Sequence, residues 1–386
     1  MFKLSKNLQS LPPYLFLEID KAKRKARAEG RDIIDLGIGD PDQPTPGYII
    51  DALDKAAGDP ANHRYALDQG MPALRRSIQA WYKRRFDLDF DPETEILPLI
   101  GSKEGIAHFP LAFINPGDYS LVPDPCYPPY KGGTILAGGR PYLLPLLESN
   151  GFLPDFKKIP PAVLKKAKIL YLNYPNNPTS ATAGIEFYQQ AIEFARRNKI
   201  VLVSDLAYSE MGYDGYRAPS VFEFEGAREI AIEFHSLSKT YNMTGWRIGW
   251  ALGNAALVSA LAEVKSNVDS GIFSAIQLAG IAALDGPDEH TQKMCRMYQG
   301  RRDALIKGLS SLGWKVSPPK ATFYVWIKIP AKTDSIKFAA LILEKANLVV
   351  TPGIGFGKYG EGYIRMALTV PEERVNEAVV RLKKII

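Results

Sequence analysis

At 386 residues the chain exceeds the length over which one hydrophobic core usually keeps growing, so two packed domains are the default expectation. Hydrophobic residues make up 46% and charged residues 23%, as in an ordinary soluble globular protein, and a formal net charge of +6 is too mild to mark a nucleic-acid binder. The two cysteines, Cys126 and Cys295, exclude a disulfide framework, and the four histidines show no metal-ligand spacing, so no metal is expected. The segment Met1 to Ser10 lacks the apolar centre of a signal peptide, and no apolar run is long enough to span a bilayer. A soluble, cytoplasmic protein is the simplest expectation.

In chain order, the densest basic run is Lys21, Lys23, Arg24, Lys25 and Arg27, with Asp20 and Glu29 beside it. It reads as a solvated helix face. The glycines and proline of Gly37-Ile-Gly-Asp-Pro41 mark a turn. From Met71 to Phe86, Leu74, Ile78, Trp81, Tyr82 and Phe86 recur at helical spacing. Short apolar runs then alternate with helical patterns: Ile96 to Ile100, Ser120 to Val122, Lys168 to Leu172, Ile200 to Ser204 and Glu229 to Phe234, with a helix over Glu186 to Asn198. That alternation predicts an α/β sheet with crossover helices. The last hundred or so residues change character. They predict helix Lys293 to Leu312, strand Thr322 to Lys328, helix Ser335 to Ala346, strand Tyr363 to Ala367 and helix Glu372 to Ile386, an α+β pattern with a turn at Thr351-Pro-Gly-Ile-Gly-Phe-Gly357.

In open α/β sheets, ligands bind outside the carboxyl ends of strands, so those ends are where chemistry is sought. The run to Ile100 continues into Gly101-Ser102-Lys103-Glu104, a turn whose backbone N–H groups at a helix start suit a phosphate. The run through Leu172 leads to Asn176-Asn177-Pro178. The run through Ser204 ends in Asp205, with Tyr208 three residues on. The run through Phe234 ends in His235-Ser236-Leu-Ser238-Lys239, with Arg247 eight residues further. Each signal alone has a plainer reading: a helix cap, a surface loop or a turn. The order and spacing together are specific.

The chain resembles the fold type I, pyridoxal-phosphate (PLP)-dependent aminotransferases of the aspartate aminotransferase superfamily, and within them the LL-diaminopimelate aminotransferases. The resemblance rests on Asp35-Leu-Gly-Ile-Gly-Asp-Pro-Asp42, Pro44-Thr-Pro46, Ile100-Gly-Ser-Lys-Glu-Gly-Ile106 and Asp124-Pro-Cys-Tyr-Pro-Pro-Tyr130. It continues through Asn173-Tyr-Pro-Asn-Asn-Pro-Thr179, Ser204-Asp-Leu-Ala-Tyr-Ser-Glu210, the segment from Ser236 to Gly249, and Gly360-Glu-Gly-Tyr-Ile-Arg-Met-Ala-Leu368. These motifs cover essentially the whole chain in family order. The resemblance implies a mainly parallel seven-stranded sheet in a three-layer α/β/α large domain, residues 46–285. A smaller α+β domain would be built from residues 1–45 and 286–386.

It also implies roles. Lys239 would carry PLP covalently and shuttle the substrate proton, which an arginine could not do. Asp205 would keep the pyridine nitrogen protonated, because PLP works as an electron sink. Asn177 and Tyr208 match the donors to the phenolic oxygen. Tyr127 matches the ring's stacking partner, although Tyr130 would serve a core-tyrosine role equally. Ser102, Lys103, Ser236, Ser238 and Arg247 match the phosphate cup, and Tyr65 matches a tyrosine that reaches the neighbouring subunit's phosphate in a homodimer with shared sites. Arg365 matches the arginine fork for the α-carboxylate. Gly39 and Tyr14 match residues close to the substrate, and Lys103 stands where it could also meet a distal carboxylate. The implied reaction is amino transfer from LL-diaminopimelate to 2-oxoglutarate, giving glutamate and tetrahydrodipicolinate in the lysine route. A broader amino-acid aminotransferase (aspartate, alanine or aromatic donor) and a PLP-dependent C–S lyase are the alternatives. One departure bears on the distal end: plant-type members are asparagine-rich where this chain has Asp269-Ser-Gly-Ile-Phe-Ser-Ala-Ile-Gln277.

Overall fold

The strands form where apolar runs can be buried on both faces. In the computed structural model, which describes residues 2–12 and 15–385, there are twelve strands among the described residues. They are β1 (Ile34–Asp35), β2 (Ile96–Leu99), β3 (Tyr119–Asp124), β4 (Arg140–Pro145), β5 (Ala167–Leu172), β6 (Val201–Asp205), β7 (Ala231–Ser236), β8 (Gly249–Gly253), β9 (Tyr324–Lys328), β10 (Leu348–Val349), β11 (Thr351–Pro352) and β12 (Tyr363–Ala367). Seven of them build one sheet in the order β2-β8-β7-β6-β5-β3-β4. Neighbours are parallel except for β8, which runs antiparallel to both β2 and β7.

Alternate side chains on one strand enter different cores, as the period-two pleat requires. Leu170 and Leu172 join one apolar cluster with Trp81, Tyr82 and Ile192, whereas Ile169 and Tyr171 join another with Phe109, Val122 and Leu261. Both faces of the sheet are therefore covered by helices, which is why the strands read as continuous apolar runs. The covering helices start and stop where the backbone allows. Helix Pro72–Phe86 opens on a proline and ends at the left-handed Asp87; helix Ile185–Asn198 ends at the left-handed Lys199.

A third cluster gathers Ile34 and Leu36 from near the N-terminus with Tyr298, Leu305, Val325, Ile342, Ile364 and Val379. The three-stranded sheet β11-β12-β9 and the pair β1-β10 lie in this part. Residues from the two ends of the chain thus share one core.

The structure sharpens several boundaries. The run through Phe234 begins as a strand at Ala231, because Ala227–Ile230 forms a helical turn. The helix expected from Lys293 runs over Glu289–Ser311, and the last helix stops at Leu382. The strand predicted from Thr322 begins at Tyr324, Thr322 itself having φ of 69°. Within the basic run, Lys23 departs from a solvated face: it is 7% exposed and its amine sits 3.2 Å from Asp20 and 3.1 Å from Asp35.

Candidate active site

The parallel strands β3, β5, β6 and β7 point their carboxyl ends to the same edge of the sheet, with Leu172 opposite Ser204 and Asp205 opposite Phe234. The chain turns to β4 on one side of β3 and to β5 on the other, so strand order reverses there. A cleft belongs at such a reversal. One of about 550 Å³ lies there, lined by Gly39, Ser102, Lys103, Tyr127, Asn177, Asp205, Tyr208, Ser236, Ser238, Lys239, Arg247 and Arg365.

 

Nineteen residues lie between Leu99 and Tyr119, and Gly39 enters the site through a contact 200 residues away in sequence, from the Lys239 amine to the Gly39 carbonyl at 2.7 Å.

Asp205, the last residue of β6, is buried. Its Oδ2 accepts from the Tyr130 hydroxyl at 2.6 Å, while Oδ1 has no partner among the described residues. Burial pushes its carboxyl up to about 6, against the hydrogen bond from Tyr130. Lys239 follows β7 in the helical turn Leu237–Thr240, and burial lowers its amine to about 8. Arg365, on β12, is 4% exposed and has no acidic partner among the described residues. Its Nη1 donates to Asn177 Oδ1 at 2.8 Å and its Nη2 to the Gly37 carbonyl at 2.9 Å; Nε is unpartnered. The guanidinium lies 4.0 Å from the Tyr324 ring centroid and 4.7 Å from that of Phe356.

The turn before helix Ser102–His108 is shaped by Gly101, whose φ is 77°. A Cβ there would stand 2.3 Å from the Arg247 guanidinium, so glycine lets that charge close over the turn. Ser236 Oγ accepts from the Ser238 N–H at 3.1 Å, and Ser236 N–H donates to His235 Nδ1 at 2.9 Å. Tyr208 hydroxyl meets Tyr324 hydroxyl at 3.1 Å. Tyr127 lines the cleft edge-on to Tyr130.

One expected residue is not in this cleft. Tyr65 is 95% exposed on the chain's surface, and Tyr14 lies outside the described residues. Three residues were missed by sequence reading. Tyr130 is the partner of Asp205 rather than only a core tyrosine; Asn173 ties Asp205 to Asn177, donating to the Asp205 carbonyl at 2.8 Å and accepting from the Asn177 N–H at 2.8 Å. Tyr324 underlies Arg365, and its hydroxyl is 1.9 Å from where a Cβ on Gly39 would stand. The motif positions of Tyr130 and Asn173 were visible, but nothing in spacing shows which hydroxyl reaches which acid.

The arrangement offers an amine whose pKa burial lowers, a buried acid with one unpartnered oxygen, a donor-rich turn capped by arginine, and a buried guanidinium with no acidic partner among the described residues. A family model described as aminotransferase class I and II matches residues 31–382. The chain belongs to that family. This aminotransferase is 54% identical over 382 residues to the LL-diaminopimelate aminotransferase of Desulforudis audaxviator, covering 99% of this chain and 97% of the relative. It is 52% identical to the protein of the same name from Aquifex aeolicus, with both chains wholly covered. Among solved structures, substrate-bound BacF from Bacillus subtilis superposes with a TM-score of 0.96 at 40% identity, covering 100% of this chain and 98% of that one. The aminotransferase fold with its mainly parallel seven-stranded sheet is thus the one observed. No helix among the described residues is long and apolar enough to cross a membrane.

Proposed function

We propose that this aminotransferase uses PLP to move an amino group between LL-diaminopimelate and 2-oxoglutarate, giving tetrahydrodipicolinate and glutamate in the cytoplasm. The substrate assignment is carried by relatives of that name at 50–54% identity over nearly the full chain. The cofactor assignment is carried by Lys239 and Asp205 lining one cleft, the acid with a buried oxygen left without a partner. An unpaired buried carboxylate oxygen is costly unless a donor arrives, and a protonated ring nitrogen is such a donor.

When bound, PLP supplies the electron sink that lets the substrate α-proton leave. The chain's residues do the rest. Asp205, steadied by Tyr130, would hold the ring nitrogen's proton. Asn177 and Tyr208 would donate to the phenolic oxygen, and Tyr127 would stack on the ring. Ser102, the Lys103 backbone, Ser236, Ser238 and Arg247 would hold the phosphate at the start of helix Ser102–His108. Arg365 grips the α-carboxylate as a fork, with Gly39 giving backbone access beside it. Lys239, with its amine lowered to about 8, can both take and return a proton near neutral pH. Lys103, which lines the cleft, is assigned to the distal carboxylate of the substrate. Residues 46–285 are assigned to the large domain and residues 1–45 with 286–386 to the small one, a division supported by the shared core of Ile34, Leu36 and the C-terminal elements. Tyr65 is assigned to a neighbouring subunit's phosphate in a homodimer.

A panel of amino donors assayed against 2-oxoglutarate tests the reading. LL-diaminopimelate should be turned over with the highest kcat/KM. Turnover of aspartate, alanine or aromatic donors without LL-diaminopimelate would replace it with the broader assignment.

A further inference from the structure

Lys265 is a buried ammonium that the proposed chemistry does not use. It is 1% exposed, in the last turn of helix Ala255–Val268. Its amine bonds Asp269, donates to the Ser270 carbonyl at 3.1 Å, and lies 3.7 Å from Glu104. Glu104 in turn reaches back over the start of its own helix, accepting from the Ile100 N–H at 3.0 Å. That N–H precedes Gly101 and Ser102, the turn assigned above to the phosphate.

Glu104, His108 and Asp269 place ligand-type atoms within 4.8 Å of one another, a grouping not visible in the sequence spacing. Lys265 already supplies positive charge inside that grouping. On its other side, the loop after Asp269 packs tightly: a Cβ on Gly271 would stand 2.3 Å from the Leu67 carbonyl, next to the segment carrying Tyr65. One ammonium therefore ties the Ile100–Ser102 turn to loop 269–271.

We infer that Lys265 is a positioning residue for the phosphate end of the cofactor, holding that turn in register with loop 269–271 through Glu104 and Asp269. The inference rests on the PLP reading. Without the ammonium, the Glu104 and Asp269 carboxylates face each other with only His108, 3.5 Å from Glu104, beside them, and Glu104 is drawn away from the position in which it fixes the Ile100 N–H.

The test compares PLP with pyridoxal, which lacks the phosphate, binding to cofactor-free protein followed by intrinsic fluorescence. In Lys265→Met, PLP affinity should fall about tenfold or more, the size of one hydrogen bond to a charged group, while pyridoxal affinity stays within about twofold. A role confined to helix stability would lower both affinities together, or neither, and would overturn the inference. Should Lys265→Met fail to fold by circular dichroism, Glu104→Gln decides by the same comparison: a phosphate-selective loss supports the inference, an equal loss or none overturns it. Wild-type protein that does not prefer PLP to pyridoxal overturns the phosphate-site reading and this inference with it. Wild-type preference kept intact in the variants overturns this inference alone.

Discussion

At the scale of single residues, Asp205 carries a stability cost. Its carboxyl is raised from 3.8 to about 6 in the cofactor-free chain. Between those values the folded state binds more protons than the unfolded one, so stability falls as pH rises through the window. Above it the ionised group costs roughly 3 kcal/mol. Asp205→Asn should therefore melt higher than wild type at pH 7 when both lack cofactor, with the gap closing toward pH 4, while transamination is lost. Thermal melts at the two pH values check this; a lower melting temperature at pH 7 would contradict it. For Lys239 the sign runs the other way in charge: only the neutral amine attacks a carbonyl. The rate of PLP attachment to cofactor-free protein should climb with pH and level off above about 8. Stopped-flow absorbance across pH 6 to 10 reads it. Arg365→Ala should raise KM for every α-amino acid by a similar factor, since the fork faces the group all donors share; a change confined to one donor would argue against that role.

At the scale of elements, Gly101 connects β2 to helix Ser102–His108 in a conformation that L side chains rarely adopt, with the Arg247 guanidinium against it. Gly101→Ala combines a backbone cost of about 1–3 kcal/mol with displacement of that charge. PLP affinity should drop more than tenfold in a protein that still folds, as measured by titration with circular dichroism as control. The central strands and their order of chemistry were legible because buried parallel strands are apolar throughout and end in polar motif residues. Strand β4 was not, because Pro141 and Pro145 break an edge strand's pattern, nor was β8, where Gly249 and Gly253 bracket three apolar residues. The Lys23 bridge and the Tyr130–Asp205 bond were illegible for a different reason: each depends on side chains brought together by tertiary packing, to which local periodicity is blind.

At the scale of the whole molecule, the exposed Tyr65 is the residue proposed to act in a second copy's site. If it acts across subunits, mixing Lys239→Ala with Tyr65→Ala chains and letting them exchange should restore activity, because one site in each hybrid dimer is intact. Hybrids no more active than their parents would place Tyr65 outside the site. The central claim, that Lys239 bears the cofactor, has a more direct test. Purified protein should show a visible absorbance band that borohydride abolishes, and peptide mass mapping should then find the pyridoxyl group on Lys239. A label on another lysine, or none, would contradict the account.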